Sequence, residues 1–317
     1  MSKIIAVIGA TGAQGGSVIS TLLADGTYKI RGVTRNVTSA KSQTLTAQGV
    51  EMIQADLDDE QALIKAFKGV SAIYAVTDFM QPFGKYGPEV ALKGEVAQGI
   101  NLANAASKTS TLEHYIWSTL PNGKELSGGK HIVPHFEGKN QIDAYIKNNA
   151  KLLAKTTFLW NTFYASNLMF PPFTPNLLKS SGKYVWLQPT PASTPVTMLG
   201  DADANIGPFV SSILKRPDLT LPGKFVVAAV EEMTHGEILA TWGRATGKET
   251  EYIEVTLDDF DRLWPMWGKE MGLMMQMWGD LGYNSWGGEK VLTKEDLGIT
   301  QPLISTEAWF KAADWGL

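Results

Sequence analysis

Gly9, Gly12 and Gly15 stand three residues apart in the run Gly9-Ala10-Thr11-Gly12-Ala13-Gln14-Gly15-Gly16. Glycines at that spacing let the backbone turn tightly and bring amide N–H groups close to an anion. An apolar run precedes them and a helical pattern follows. In that setting such glycines cradle a pyrophosphate, where in isolation they would only ease a turn. Gly9, Thr11, Gly12, Gln14 and Gly15 are the residues placed to do so. A second apolar run ends in Thr34-Arg35-Asn36, with Lys41 close behind. Arg35 falls at the fingerprint distance beyond the turn, about 20 residues. An acidic residue in that place would bind the ribose hydroxyls of NAD, whereas a guanidinium can clamp a 2′-phosphate with two N–H groups. Arg35 with Asn36 therefore predicts NADP(H) as the cofactor. Asp56-Leu57 are placed to flank the adenine, and Val76-Thr77 to line the crevice.

These residues need a scaffold that brings strand ends together. Runs at 4–8, 30–34, 51–55, 72–76, 115–118 and 157–160 are short, apolar and rich in β-branched residues, the pattern of strands buried on both faces. Helical spacing lies between them at 16–24, 38–48, 59–67, 89–107 and 138–149, with Asp58 as a candidate N-cap. That alternation predicts an α/β fold, a Rossmann doubly wound parallel sheet over residues 1–160. The chain then changes character. Between 161 and 195 it carries Phe170-Pro171-Pro172-Phe173 and a stretch bounded by Pro189 and Pro195. A helix at 205–214 and a short strand at 224–229 follow. A further helix begins at Thr234, with Glu237 in capping-box position and Gly247 placed to end it. Residues 161–317 read as a smaller C-terminal α/β lobe, for substrate or partner, laid over the C-terminal edge of the sheet as one compact unit with it.

Composition narrows the chemistry. The 317 residues are 44% hydrophobic and 19% charged, enough to bury a sizeable core. A formal net charge of −4 offers no cationic excess for a nucleic-acid backbone. The absence of cysteine excludes disulfides, thiolate metal sites and a cysteine nucleophile. His131 and His135 have a helical metal-ligand spacing, but Pro134 lies between them and no carboxylate pair accompanies them, so no metal is expected. Gly128-Gly129-Lys130 reads as a flexible lid. The sequence shows no apolar run of about 20 residues, and no secretory leader is expected. The expectation is a soluble cytoplasmic protein, nuclear if it is a regulator, without direct nucleic-acid or membrane contacts.

Taken together, Gly9-Ala10-Thr11-Gly12-Ala13-Gln14-Gly15, Thr34-Arg35-Asn36, Asp56-Leu57, Pro134-His135-Phe136-Glu137-Gly138-Lys139 and Trp242-Gly243-Arg244-Ala245-Thr246-Gly247-Lys248 resemble the NmrA-like group of atypical short-chain dehydrogenases. The resemblance covers nearly the whole chain. It implies one of two activities: an NADPH-dependent reductase, as in the similar isoflavone reductase-like enzymes, or a non-catalytic NADP(H) redox sensor that regulates a protein partner.

Ordinary short-chain dehydrogenases carry a tyrosine with a lysine four residues later. The lysine holds the nicotinamide ribose and the tyrosine exchanges the proton. By this resemblance Lys139 keeps the lysine's place and His135 replaces the tyrosine. Either Lys139 or His135 donates the proton, or Lys139 only grips the ribose and the site is dead. An imidazole suits proton transfer near neutrality. Ser118-Thr119 could orient a substrate carbonyl, and Tyr164, after the sixth strand, is a candidate substitute hydroxyl. The segment 263–286 gathers Trp264, Trp267, Trp278 and Trp286 with Met266, Met271, Met274, Met275 and Met277. It can be a wall for a small apolar carbonyl, imine or activated alkene, a partner surface, or ordinary core.

Overall fold

The computed structural model describes residues 3–317. The chain opens with β1 (Lys3–Ile8), α1 (Ala13–Asp25), β2 (Tyr28–Thr34), α2 (Ala40–Ala47), β3 (Glu51–Gln54), α3 (Glu60–Ala66) and β4 (Ala72–Ala75). It continues through α4 (Met80–Tyr86), α5 (Pro88–Ser107), β5 (His114–Thr119), α6 (Gly123–Leu126), α7 (Pro134–Lys147), α8 (Ala150–Leu153) and β6 (Thr156–Asn161). Each expected strand and helix of this half is present, with ends moved by a few residues. Asp59, not Asp58, caps α3, because its side chain is the one that accepts the Ala62 N–H. Asp58 instead accepts from Gln98 on α5. Helix α7 starts four residues before the expected 138, since Pro134 at its first position has φ already set for a helix and gives up an N–H that would be unpaired anyway.

Among the described residues an eight-stranded sheet runs β14-β11-β6-β5-β4-β1-β2-β3, where β11 is Lys224–Ala228 and β14 is Val291–Leu292. All seven strand pairs in it are parallel. The order reverses at β1, which pairs with β2 on one side and β4 on the other. A crevice must open there beyond the carboxyl ends of the strands. The expectation that 224–229 belongs to the smaller lobe is corrected. Phe225 to Ala228 pair in parallel with Phe158 to Asn161, so this strand extends the large sheet beside β6. A short buried apolar run suits either sheet, and only long-range pairing decides between them.

Helices cover both faces, as a parallel sheet whose central strands β4, β5 and β6 are buried throughout requires. One face holds α1 packed on α9 (Ala202–Lys215), and the other holds α5 packed on α7. Two three-stranded sheets accompany the large sheet among the described residues. The first is β12-β10-β7, from Glu231–Thr234, Pro195–Gly200 and Phe163–Tyr164. The second is β13-β9-β8, from Thr250–Glu254, Lys183–Gln188 and Asn176–Leu178. Helix α11 (His235–Thr246) begins with the expected capping box of Thr234 and Glu237 and ends at Gly247 in the left-handed conformation. Helix α13 (Trp267–Leu281) lies across the mouth of the sheet's crevice. Among the described residues no helix is long and apolar enough to cross a membrane.

Candidate functional site

The crevice is a cleft with a cavity volume of about 730 Å³, and its walls differ from end to end. One end is the glycine-rich turn. Gly9 has φ +66°, a conformation that strains any residue with a Cβ, and its carbonyl accepts the Gly12 N–H at 2.9 Å. A Cβ on Gly15 would lie 2.3 Å from that same carbonyl oxygen, so glycine is what allows α1 to start so close to β1. Gly12, the N-cap of helix α1, gives it no side-chain cap, and no acid stands in its first turn. Its first N–H groups are therefore open to an anion.

Of the residues read as cofactor-binding, Gly9, Thr11, Gly12, Gln14, Gly15, Arg35, Asp56, Leu57, Val76, Thr77 and Lys139 line this cleft. Asn36 does not. Its Oδ1 accepts from the Thr38 N–H at 2.9 Å and the Thr38 hydroxyl at 2.8 Å, so its side chain is spent on a local turn. Arg35 reaches across the mouth and donates to Gln81 Oε1 at 3.0 Å, a neutral partner that an anion can displace. Lys41 donates to the Thr11 carbonyl at 3.3 Å.

Gln14 plays a part its position in the turn does not announce. Its Oε1 accepts from Tyr74 OH at 2.6 Å and Ser118 Oγ at 2.9 Å, and its Nε2 donates to Tyr164 OH at 2.9 Å. Asn161 Nδ2 donates to Ser118 Oγ at 3.0 Å. The side chain thus pins the turn to the floor of the cleft, leaving only its backbone for a phosphate. Burial pushes the Tyr164 phenol above its ordinary range, so Tyr164 stays protonated. The same holds for Tyr74.

Lys139 and His135 both reach the cleft from the first two turns of α7. Lys139 Nζ donates to Thr77 Oγ1 at 2.7 Å and to the Thr77 carbonyl at 3.3 Å, and Glu95 Oε1 lies 3.2 Å away. Glu95 is fully buried and also accepts from the Thr77 hydroxyl at 2.8 Å. Trp117 presents its ring 4.9 Å from the ammonium. Its indole N–H donates to Asp143, one turn further along α7, whose carboxyl is pushed up to about 7 by burial. His135 faces the opposite wall, with Nδ1 2.5 Å from Glu270 on α13. His131 lies in the loop before α7 and pairs with Asp280 at 2.6 Å, so the two histidines diverge.

The far end of the cleft is apolar. Trp267, Met271, Met274, Trp278 and Trp286 line it together with Phe79, Phe163 and Phe170. The segment 263–286 is thus part wall and part core. Met275 and Met277 are fully buried, Trp264 packs on Phe260 at 4.7 Å, and Met266 is exposed.

Glu95, Glu270 and Gln81 escaped the sequence reading. The first two did leave a signal. Glu95 shares the buried stripe Ala91, Glu95, Gly99, Leu102, and Glu270 the stripe Glu270, Met274, Met277. A charge on such a stripe must have a partner.

Residues 1–304 match the model of the NmrA-like family. An NmrA-like family domain-containing protein of Dictyostelium discoideum is 27% identical over 325 residues, covering 100% of both chains. Among solved structures, NmrA, a negative transcriptional regulator in complex with NADP, superposes with a TM-score of 0.76. It is 20% identical and covers 98% of this chain and 95% of its own. An NADPH-dependent quinone oxidoreductase of Escherichia coli, complexed with NADPH, reaches 0.71 at 18% identity, covering 98% and 99%. These two likenesses show the shared fold. With its glycine turn at the switch point of a parallel sheet and a family match over nearly its whole length, the chain belongs to the NmrA-like family.

Proposed function

We propose that the protein binds NADP(H) and works as a reductase of small apolar carbonyl, imine or activated-alkene compounds. The observation that carries this is the polarity of the cleft. It runs from open helix amides and Arg35, through the Lys139–Glu95 and His135–Glu270 pairs, to an aromatic and methionine wall without a charge of its own. The backbone from Gly9 to Gly15 would hold the pyrophosphate. Arg35 would leave Gln81 for the 2′-phosphate, and Lys139 would hold the nicotinamide ribose. Bound NADPH supplies a hydride. The protein's task is then to orient the acceptor against the apolar wall, exclude water and provide a proton from Lys139 or His135. Two solved neighbours were crystallised with NADP or NADPH, which supports the cofactor reading.

The name of one neighbour, a negative transcriptional regulator, favours a second reading: a sensor whose partner affinity depends on the bound nucleotide. One series of measurements separates the two. NADPH and NADH are titrated into the wild type and Arg35→Ala, and NADPH oxidation is then followed with quinones, enones, imines and aromatic ketones. The expected result is a preference for NADPH of about tenfold to a hundredfold, lost in Arg35→Ala, together with turnover of at least one acceptor. Equal affinity for the two nucleotides would overturn the NADP(H) assignment. Tight binding with no oxidation by any acceptor would overturn the reductase and leave the sensor.

A further inference from the structure

Two buried acid–base pairs stand one turn apart on α7, and they leave different atoms free. Lys139 Nζ has three N–H groups and faces three acceptors: Thr77 Oγ1, the Thr77 carbonyl and Glu95 Oε1. A ribose hydroxyl can displace the long 3.3 Å contact to the Thr77 carbonyl, and no further N–H then remains to give to a substrate. His135 is held at one side only. Glu270 Oε1 lies 2.5 Å from its Nδ1 and accepts its backbone N–H at 3.0 Å. One carboxylate oxygen thus fixes both the start of the helix and the rotation of the ring. Its edge meets Phe136, centroids 4.9 Å apart, and Phe79 stands 5.9 Å away. Both partners are nearly sealed, with side chains 6% and 3% exposed. Nε2 is the nitrogen that remains. Among the described residues no protein group bonds it, and unlike Nε2 of fully buried His235 it is not closed off from solvent.

We propose that His135 Nε2 gives the proton in the reduction, and that Glu270, supplied from α13, is the residue that positions it. The proposal rests on the reductase reading above. NADPH, when bound, would supply the hydride, one hydrogen nucleus with two electrons, to the electrophilic carbon of the acceptor. The acceptor's oxygen, nitrogen or activated carbon takes the matching proton from His135 Nε2–H. The donor is therefore the imidazolium, which becomes a neutral imidazole that keeps Nδ1–H on Glu270, and a solvent proton relayed by water entering the cleft restores it. With Nδ1–H committed to Glu270, only Nε2 can present a proton to the cleft, the logic by which a carboxylate fixes the useful face of a catalytic imidazole.

A purely structural Glu270 would also cap α7, whose N-cap Val133 has no side-chain oxygen to offer. Capping needs the backbone contact alone. It accounts neither for the shorter contact to the ring nor for the free nitrogen of a ring that lines the cleft.

Two readouts test the proposal. The first needs no turnover. In cofactor-free protein carrying ¹⁵N-histidine, the His135 Nδ1 proton should resonate far downfield, as a strongly bonded N–H does. It should move upfield in Glu270→Gln, which keeps an oxygen for the His135 backbone N–H and so keeps the fold. An unchanged Nδ1 signal in that variant would overturn the positioning role. The second is steady-state kinetics with an acceptor that oxidises NADPH. His135→Gln should lower kcat about a hundredfold or more, with KM for NADPH within about threefold. Glu270→Gln should lower kcat in the same way by about tenfold or more, Glu270→Asp should recover part of it, and added imidazole should partly restore His135→Gly. Turnover that survives His135→Gln but not Lys139→Ala would overturn the proposal and leave the reductase standing. NADPH binding without oxidation by any acceptor would remove the reductase reading and the proton role with it.

Discussion

Helices α1 and α11 end alike and begin differently. Each stops at a glycine in the left-handed conformation, Gly26 at φ 66° and Gly247 at φ 69°. At its start α11 closes on itself. Thr234 Oγ1 accepts the Glu237 N–H at 3.2 Å, and Glu237 Oε2 accepts the Thr234 N–H at 2.7 Å. Helix α1 starts at Gly12, which has no side chain to offer, and no carboxylate stands in its first turn. Both N-termini carry the same unpaired amides and the same partial positive charge. One satisfies them with its capping box and with the Thr194 and Ala192 carbonyls, which accept the His235 and Gly236 N–H groups at 3.0 and 2.8 Å, and the other leaves them facing the cleft. A stabilised start and a binding site are therefore alternative uses of one feature, set by the N-cap residue and by the carbonyls that stand over the first turn.

The largest effect is expected where α1 approaches β1. In Gly15→Ala the new methyl would meet the Gly9 carbonyl oxygen at 2.3 Å and its carbon at 2.6 Å, both backbone atoms that cannot turn aside. Urea denaturation should show a loss of about 3 kcal/mol, with NADPH binding abolished. Gly16→Ala, one residue on, meets nothing within 4 Å and sits inside the helix. It should gain up to about 1 kcal/mol. Similar effects in both variants would mean that the close approach to Gly9 does not decide which residue stands at position 15.

Gly12→Asp turns the α1 start into an α11 start. The position has φ −93° and ψ 174°, and a Cβ there would stand 3.4 Å from the Gly9 oxygen, so the side chain fits without strain. A carboxylate at this N-cap should raise stability by about 0.5 kcal/mol while its charge lowers NADPH affinity about a hundredfold. Thermal melting and nucleotide titration on the same sample check the pair of signs. Stability and affinity falling together would mean that the substitution merely damages the turn.

How far the sequence reveals this architecture follows from the same contrast. The turn from Gly9 to Gly15 and Arg35 are local signals, because strand, turn and helix are consecutive and their spacing is the geometry. Gln14 shows where locality stops. Its place in the turn is plain, yet its side chain is committed to Tyr74, Ser118 and Tyr164, which lie 60, 104 and 150 residues away. His135 meets Glu270 across 135 residues and Lys139 meets Thr77 across 62. Spacing along a chain cannot pair groups so far apart. What it could have given is the anomaly of Glu95 and Glu270 on otherwise buried stripes, each asking for a cation or a donor. Strand β11 fails for a related reason. The run from Lys224 to Ala228 is apolar enough for any sheet, and its place beside β6 is fixed by a register that its own residues do not encode.

The smallest effect tests the closed half of the comparison. Thr234→Ala removes the oxygen that accepts the Glu237 N–H and leaves Glu237 able to bond only the Thr234 backbone. The loss should be about 1 kcal/mol in urea denaturation, the usual cost of an N-cap hydroxyl. NADPH affinity should not change, because α11 contributes nothing to the cleft wall. The carboxylate of Glu237, held below its ordinary range chiefly by the Thr234 N–H, keeps that backbone bond in the variant. An anion therefore finds no vacancy at α11, even with the threonine gone. If added phosphate or NADPH restored the lost stability, the start of α11 would be as open as that of α1. The glycine at position 12 would then be a matter of packing, not of binding.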